Sequence, residues 1–270
     1  FVNTLTDILV AGVEPDDQLA HMMLRAKTIG AGILACEIAA ILTERDVLRG
    51  SVTRESDLHF RIEVLRDQSN KNHNLNNQAR HDIDQAAVRQ VQVAAKQWQR
   101  QLQVTVNNST VNDSSGDLKL LGVVLAYAYP DRIGCRRDNS SRYLLSNGRG
   151  AILSESDPLC TEELIVAAHL DGAREARIFL AAGLHREHLQ QYLGELIHKR
   201  SVIHWDDRQA CVQARTQQCI GDIVIDDVPL KNVDPDVLAD ALLEGIRLRG
   251  INCLPWQDTE IGRASCRERV

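Results

Sequence analysis

The side chains best suited to bind a ligand are five arginines between positions 132 and 149, with one acid, Asp138, among them. Five positive charges against one negative give this stretch +4, in a chain of formal net charge -6. Guanidinium groups bind phosphate oxygens through paired N–H donors, and aromatic rings stack on bases. The candidate nucleic-acid-binding residues are therefore Arg132, Arg136, Arg137, Arg142, Tyr143 and Arg149. The alternative is an ordinary solvated surface, on which Asp131 and Glu155 neutralise part of the charge.

Catalytic motifs are missing from the sequence. No lysine follows a glycine, as a phosphate-binding P-loop requires, and no Asp-Glu dipeptide is present to hold Mg²⁺. The serine-hydrolase pattern G-x-S-x-G and the zinc pattern H-E-x-x-H are missing too. His185 and His188 lie one helical turn apart beside Glu187, but nothing implies a third metal ligand. The sequence therefore predicts neither a catalytic residue nor a metal site.

The composition is that of a soluble globular protein. Hydrophobic residues make up 44% and charged residues 25%, and the mean hydropathy is -0.24. No apolar run reaches the roughly 18 residues that span a membrane, so we expect no membrane partner. The seven cysteines are scattered without a C-x-x-C pair, which indicates free thiols in a reducing cytoplasm.

The predicted secondary structure changes from helices to strands at Pro130. Before it, apolar residues recur at helical spacing over 18–28, 33–42, from 57 onward and over 82–104. Residues 117–129 are apolar nearly all round and end at Pro130, which predicts a helix packed on every side. After it, five short runs separated by turn residues predict a small barrel with strands over 133–136, 142–145, 150–153, 164–170 and 176–182.

The last third of the chain predicts a mixed segment. Residues 185–197 are typical of a helix, and 202–205, 210–214 and 220–228 indicate a β-meander. Asp234-Pro235 then opens a helix that ends before Gly250. The predicted fold class is α+β: a helical bundle, a small β-barrel and a mixed α/β C-terminal segment.

Several short motifs resemble the bacterial ATP-dependent RNA helicase HrpB family, a DEAH/DExH-type family. The similarity is carried, in the family's order, by 19–26, 42–46, 125–133 with Arg136-Arg137, 142–151, and 241–247 with Leu254-Pro-Trp256. Together they span most of the chain, and it is their combination that is specific. Residues 260–270 instead resemble an in-frame translation of a sequencing adapter.

The resemblance implies a division into domains. We expect the end of a winged-helix domain over 1–15, a ratchet-like helical domain over 16–129, an OB-fold-like barrel over 130–184, the start of an HrpB-type C-terminal domain over 185–259, and adapter sequence over 260–270. The Asn-rich stretch 69–77 departs from the Arg- and Ala-rich connector that the family suggests.

The implied function is that of the accessory RNA-binding half of an ATP-dependent RNA helicase, which guides single-stranded RNA, or DNA, past the motor lobes. The expected partners are that strand and the helicase's own N-terminal motor lobes. ATP and Mg²⁺ are expected in those lobes, so the parent protein would be the ATP hydrolase and this chain would bind no cofactor. The alternative is a stand-alone OB-type module that binds RNA or protein without helicase activity.

Overall fold

The structure, a computed structural model, describes residues 17–49, 56–70, 83–104, 117–138 and 140–250. The expected winged-helix end, the adapter stretch and most of the Asn-rich connector lie outside these residues. The described chain divides into two compact units. The first holds the residues up to Leu196 together with Gly221–Ile223, and the second holds Ile197–Ile220 and the residues from Val224 onward.

The first unit begins with five described helices: α1 (Asp17–Thr28), α2 (Gly32–Thr43), α3 (Leu58–Asn70), α4 (Gln85–Gln101) and α5 (Leu121–Ala128). Helix α4 starts where the Asp84 carboxylate accepts the N–H groups of Ala86 and Ala87. Every residue of α5 is buried, as the sequence predicts. The helix ends at Ala128 with Tyr129 as its C-cap, because Pro130 cannot continue it.

An ion-pair cluster joins three parts of the helical region. The Arg66 guanidinium in α3 donates to Glu37 of α2 at 2.6 Å and to Asp117 at 3.0 Å. Both Arg66 and Glu37 are largely shielded from water, so each charge is stabilised by the other. The cluster therefore fixes α3 against α2.

The barrel follows directly after a short 3₁₀ turn, Pro130–Arg132. Its strands are β1 (Ile133–Arg136), β2 (Arg142–Leu145), β3 (Gly150–Ile152), β4 (Leu164–Leu170) and β5 (Glu175–Gly183). They close in the order β1-β2-β3-β5-β4, with β3 and β5 parallel and the other pairs antiparallel. Alternate residues point inward, and the core includes Tyr143, Leu145, Ile165 and Ile178.

Two close contacts hold the helices on the barrel. A Cβ on Gly122 of α5 would lie 2.2 Å from the Gly183 carbonyl oxygen, so glycine permits this approach. The buried Asp157 carboxylate accepts the N–H of Ser56 at 2.9 Å and its hydroxyl at 2.7 Å. Its other oxygen accepts the Leu159 N–H and caps the 3₁₀ helix Pro158–Thr161. These contacts position the barrel within the first unit.

The first unit ends in a short helix, α6 (Arg186–Tyr192). The second unit contains the helix α7 (Pro235–Arg249) and, except for Ile223, the three-stranded sheet β6 (His198–Asp206), β7 (Cys211–Ile220) and β8 (Ile223–Pro229). Glycine at position 245 lets α7 lie directly on Trp205, because a Cβ there would meet the indole at 2.2 Å.

The predicted α+β class is confirmed in its order of helices, closed barrel and mixed segment. The helix predicted over 185–197 is too long, since α6 ends at Tyr192 and β6 begins at His198. The domain boundaries implied by the resemblance stay predictions. None of the helices in the described part of the chain is long and apolar enough to cross a membrane.

Candidate nucleic-acid interface

The predicted arginines divide between the two ends of the β1–β2 hairpin. Arg136 ends β1, Arg142 begins β2, and Arg137 lies in the turn between them. Arg132 precedes β1 and Arg149 follows β2, so both lie at the opposite end. At about 3.3 Å per residue, four strand residues separate the ends by about 13 Å. The stretch therefore forms two groups rather than one cluster.

Two of these arginines are half-buried and bound to main-chain carbonyls. Arg132 donates to the Ala168 carbonyl at 2.7 Å and lies over the Tyr129 ring, 4.5 Å from its centroid. Arg136 donates to the Cys160 carbonyl at 2.8 Å. A carbonyl holds the guanidinium in place without neutralising its charge. Arg132 also forms an ion pair with Asp131, with 4.0 Å between Nε and Oδ2, so part of its charge is offset. Arg136 contributes a fixed positive charge on the barrel.

The other three arginines are exposed. Arg142 faces Glu175, with 3.5 Å between Nε and Oε1, and both side chains are more than half exposed. Such a solvated pair is weak and can open when a ligand competes for it. Arg149 donates to the Ala173 carbonyl at 2.9 Å. Within the part of the chain that the structure describes, the Arg137 side chain forms no ion pair or hydrogen bond.

The strand register adds two arginines that the sequence analysis missed. Arg142 is paired with Ile152 on β3, and Ile152 is paired with Arg177 on β5. Two strand spacings put the Arg142 and Arg177 Cα atoms about 10 Å apart on the outer face. The bond from Arg149 to Ala173 brings the β2–β3 turn to the β4–β5 loop, where Arg174 is also exposed.

We call the exposed cationic surface formed by these residues the barrel face; it consists of Arg137, Arg142, Arg149, Arg174 and Arg177. Its acidic neighbours include Glu175, which faces Arg142, and Asp171, which accepts the Arg177 N–H. Asp138 directly follows Arg137, and the Asp222 carboxylate lies beside Gly148 in the β2–β3 turn. The alternation of polar and apolar residues along β5 was the signal that could have identified Arg177.

Tyr143 does not fit the stacking role that the sequence analysis gave it. Its ring is 0% exposed, and its hydroxyl donates toward the Leu159 carbonyl at 2.8 Å and the Glu162 carbonyl at 3.0 Å. Burial raises the pKa of the phenol, so the hydroxyl stays protonated and able to donate. The structure therefore corrects this assignment: Tyr143 is a core residue and offers no face to a base.

The positive charge of Arg132 affects the pKa of His169. Partial desolvation lowers the pKa of this exposed imidazole, and the guanidinium groups of Arg132 and then Arg61 lower it further. His169 is therefore neutral near pH 7.

No metal site emerges from the described residues, among which no group of three or more potential ligands occurs. The His185 and His188 rings pack edge to face at 5.6 Å.

Comparison with known proteins identifies relatives of this chain. A family model described as the connector region of the ATP-dependent RNA helicase HrpB matches residues 190–230. The chain is 33% identical over 162 residues to the ATP-dependent RNA helicase HrpB of Escherichia coli (strain K12). That match covers 59% of this chain and 20% of the relative.

Two solved structures share the fold. A crystal structure of the E. coli DExH-box NTPase HrpB aligns with a TM-score of 0.60 and 29% identity, over 88% of this chain and 26% of that one. A crystal structure of the Escherichia coli DEAH/RHA helicase HrpB gives 0.59 and 28%, over 89% and 26%.

The fold and the matches define the class as a C-terminal region of an HrpB-type DEAH/RHA helicase. It spans between a fifth and about a quarter of the length of these relatives.

Proposed function

We propose that the chain is the accessory RNA-binding part of an HrpB-type helicase and that the barrel face guides single-stranded RNA. The observation that carries this proposal is the position of the arginines. OB-fold barrels bind oligonucleotides on the face of strands 2 and 3, between the first and last interstrand loops. Here Arg142 lies on β2, Arg137 in the β1–β2 loop and Arg174 in the β4–β5 loop.

The chemistry of the barrel face supports binding through phosphates. Guanidinium groups bind phosphate oxygens in pairs and keep their charge at every physiological pH. The five exposed arginines are spaced over several β-strands and turns. This spacing suits the repeated phosphate charges of a nucleic-acid strand better than it suits a single small anion. Binding of this kind positions the RNA without selecting its sequence.

In this proposal, ATP hydrolysis takes place in the motor lobes of the whole protein, which would bind ATP and Mg²⁺. Since the sequence has no Gly-Lys pair and no Asp-Glu pair, we expect the chain itself to hydrolyse no ATP. Phosphate release with and without RNA tests this point, and RNA-stimulated turnover above a mock purification would contradict it. We further propose that the protein acts in the cytoplasm, as an RNA helicase would.

The test of RNA binding is a salt titration of the 270-residue chain with single-stranded RNA. Each phosphate contact adds about 0.7 to the negative slope of log K against log salt, so three contacts give a slope near about -2. The variant Arg137→Gln/Arg142→Gln should bind all sequences more weakly and reduce the slope by about 1.4.

The matched control removes two exposed arginines from a helix instead, as Arg89→Gln/Arg100→Gln on α4. It changes the net charge equally and should leave the slope close to that of the wild type. Equal losses in both variants would reject the barrel face as the binding site, and so would an unchanged barrel variant.

A further inference from the structure

Phe179 is an exposed aromatic ring on the outer face of the barrel. It is 50% exposed, whereas its neighbours Ile178 and Leu180 are buried. Among the described residues of the barrel, no other large hydrophobic side chain is exposed to this degree. Half of the ring is therefore accessible to a ligand on the outer face of the barrel.

Arg177 lies on the same face, two residues before Phe179. Its guanidinium carbon is 5.8 Å from the centre of the Phe179 ring, within the range of a cation–π contact. Arg177 is also the last member of the row that runs from Arg142 through Ile152 across three strands. The ring therefore borders the cationic surface on which the phosphates of a strand would lie.

The surroundings of Phe179 favour a nucleic-acid base over a protein partner. A protein interface needs an apolar centre made of several side chains, with its charges at the rim. Here one isolated ring lies beside Arg177, and proteins use an aromatic ring next to an arginine to stack bases and bind the backbone of a single strand.

We infer that Phe179 stacks on one base of a bound single-stranded RNA while Arg177 binds an adjacent phosphate. The inference rests on the proposed function and adds to it a contact with a base. It also moves the stacking role from the buried Tyr143 to a residue that the sequence analysis did not select.

The test uses two ligands that differ only in their bases. One is a single-stranded oligouridine of about ten nucleotides, within the site size of an OB fold. The other is a ribose–phosphate oligomer of the same length without bases. Phe179→Ala should bind the oligouridine about 5- to 150-fold more weakly than the wild type does, the range for loss of one stacked base. It should bind the abasic oligomer as the wild type does.

Two further variants separate stacking from other effects. Phe179→Leu keeps an apolar side chain without the ring and should lose affinity as Phe179→Ala does, whereas Phe179→Tyr should retain it. Urea unfolding should show wild-type stability for each variant, because the side chain is not part of the core.

Three results would count against the inference. Unchanged binding of oligouridine by Phe179→Ala overturns it, and so does an equal loss for the two ligands; in both cases RNA binding by the barrel face still stands. A wild-type chain that binds neither ligand overturns the proposed function and this inference with it.

Discussion

Replacing Tyr143 with phenylalanine removes one oxygen from the centre of the barrel and tests whether this residue is structural. The hydroxyl lies within reach of the Leu159 and Glu162 carbonyls, at 2.8 and 3.0 Å. These two residues are part of, or directly follow, the 3₁₀ helix Pro158–Thr161. The hydroxyl therefore ties β2 to the segment that connects β3 and β4.

The expected cost is that of one buried hydrogen bond. The Leu159 carbonyl also accepts the Glu162 N–H at 3.0 Å, so it keeps a partner when the hydroxyl is removed. The ring stays and leaves almost no cavity. We therefore expect the free energy of unfolding to fall by about 1–2 kcal/mol. Tyr143→Ala also removes the ring and should cost about 3–5 kcal/mol.

Urea unfolding followed by circular dichroism measures this cost. The midpoint for Tyr143→Phe should fall while the dependence on urea keeps its slope, because the surface exposed on unfolding is unchanged. The RNA affinity of the folded variant should equal that of the wild type. A variant with wild-type stability and weakened RNA binding would refute the reasoning and return Tyr143 to the binding surface.

Three further perturbations address contacts away from the barrel face. Asp157→Ala should destabilise the chain by about 2–4 kcal/mol in urea unfolding, because the N–H and hydroxyl of Ser56 lose their acceptor; Asp157→Asn, which keeps an acceptor, should cost less. Arg66→Met should cost about 3–5 kcal/mol in the same assay, since it leaves Glu37 buried without its partner, and a neutral result would contradict this. Because the pKa of His169 is lower in the folded chain than in the unfolded chain, the unfolded chain binds a proton at higher pH. The free energy of unfolding should therefore fall as the pH drops below the ordinary pKa of 6.5. In His169→Gln, the urea midpoint should fall less between pH 7 and pH 5 than it does in the wild type.

Hydrophobic periodicity predicts most of the elements because burial dictates it. The strand predicted over 176–182 is found as Glu175–Gly183, where inward and outward residues alternate. Periodicity fails at β6, whose first four residues, His198 to Ser201, are all exposed and polar. No burial pattern marks the start of such a strand, and the predicted strand therefore began only at residue 202.

The binding surface was harder to predict, because closeness in sequence does not fix which way a side chain points. In β2 the apolar Tyr143 and Leu145 share the inner face and Arg142 points outward. That alternation was visible in the sequence and argues against an exposed Tyr143. The approach of Arg142 to Arg177, in contrast, depends on the parallel pairing of β3 with β5, which residue patterns do not reveal.

The way in which the arginines are held bears on how the barrel would bind a polyanion. Arg136 and Arg149 each donate to a main-chain carbonyl, which restricts the guanidinium but leaves its formal charge uncancelled. A guanidinium has five N–H donors, and these contacts use one of them. The remaining donors can reach phosphate oxygens from a side chain that has already lost much of its rotamer freedom, so less entropy is lost on binding. Arg142 must instead exchange Glu175 for a phosphate, and its contribution should therefore be smaller than that of Arg149.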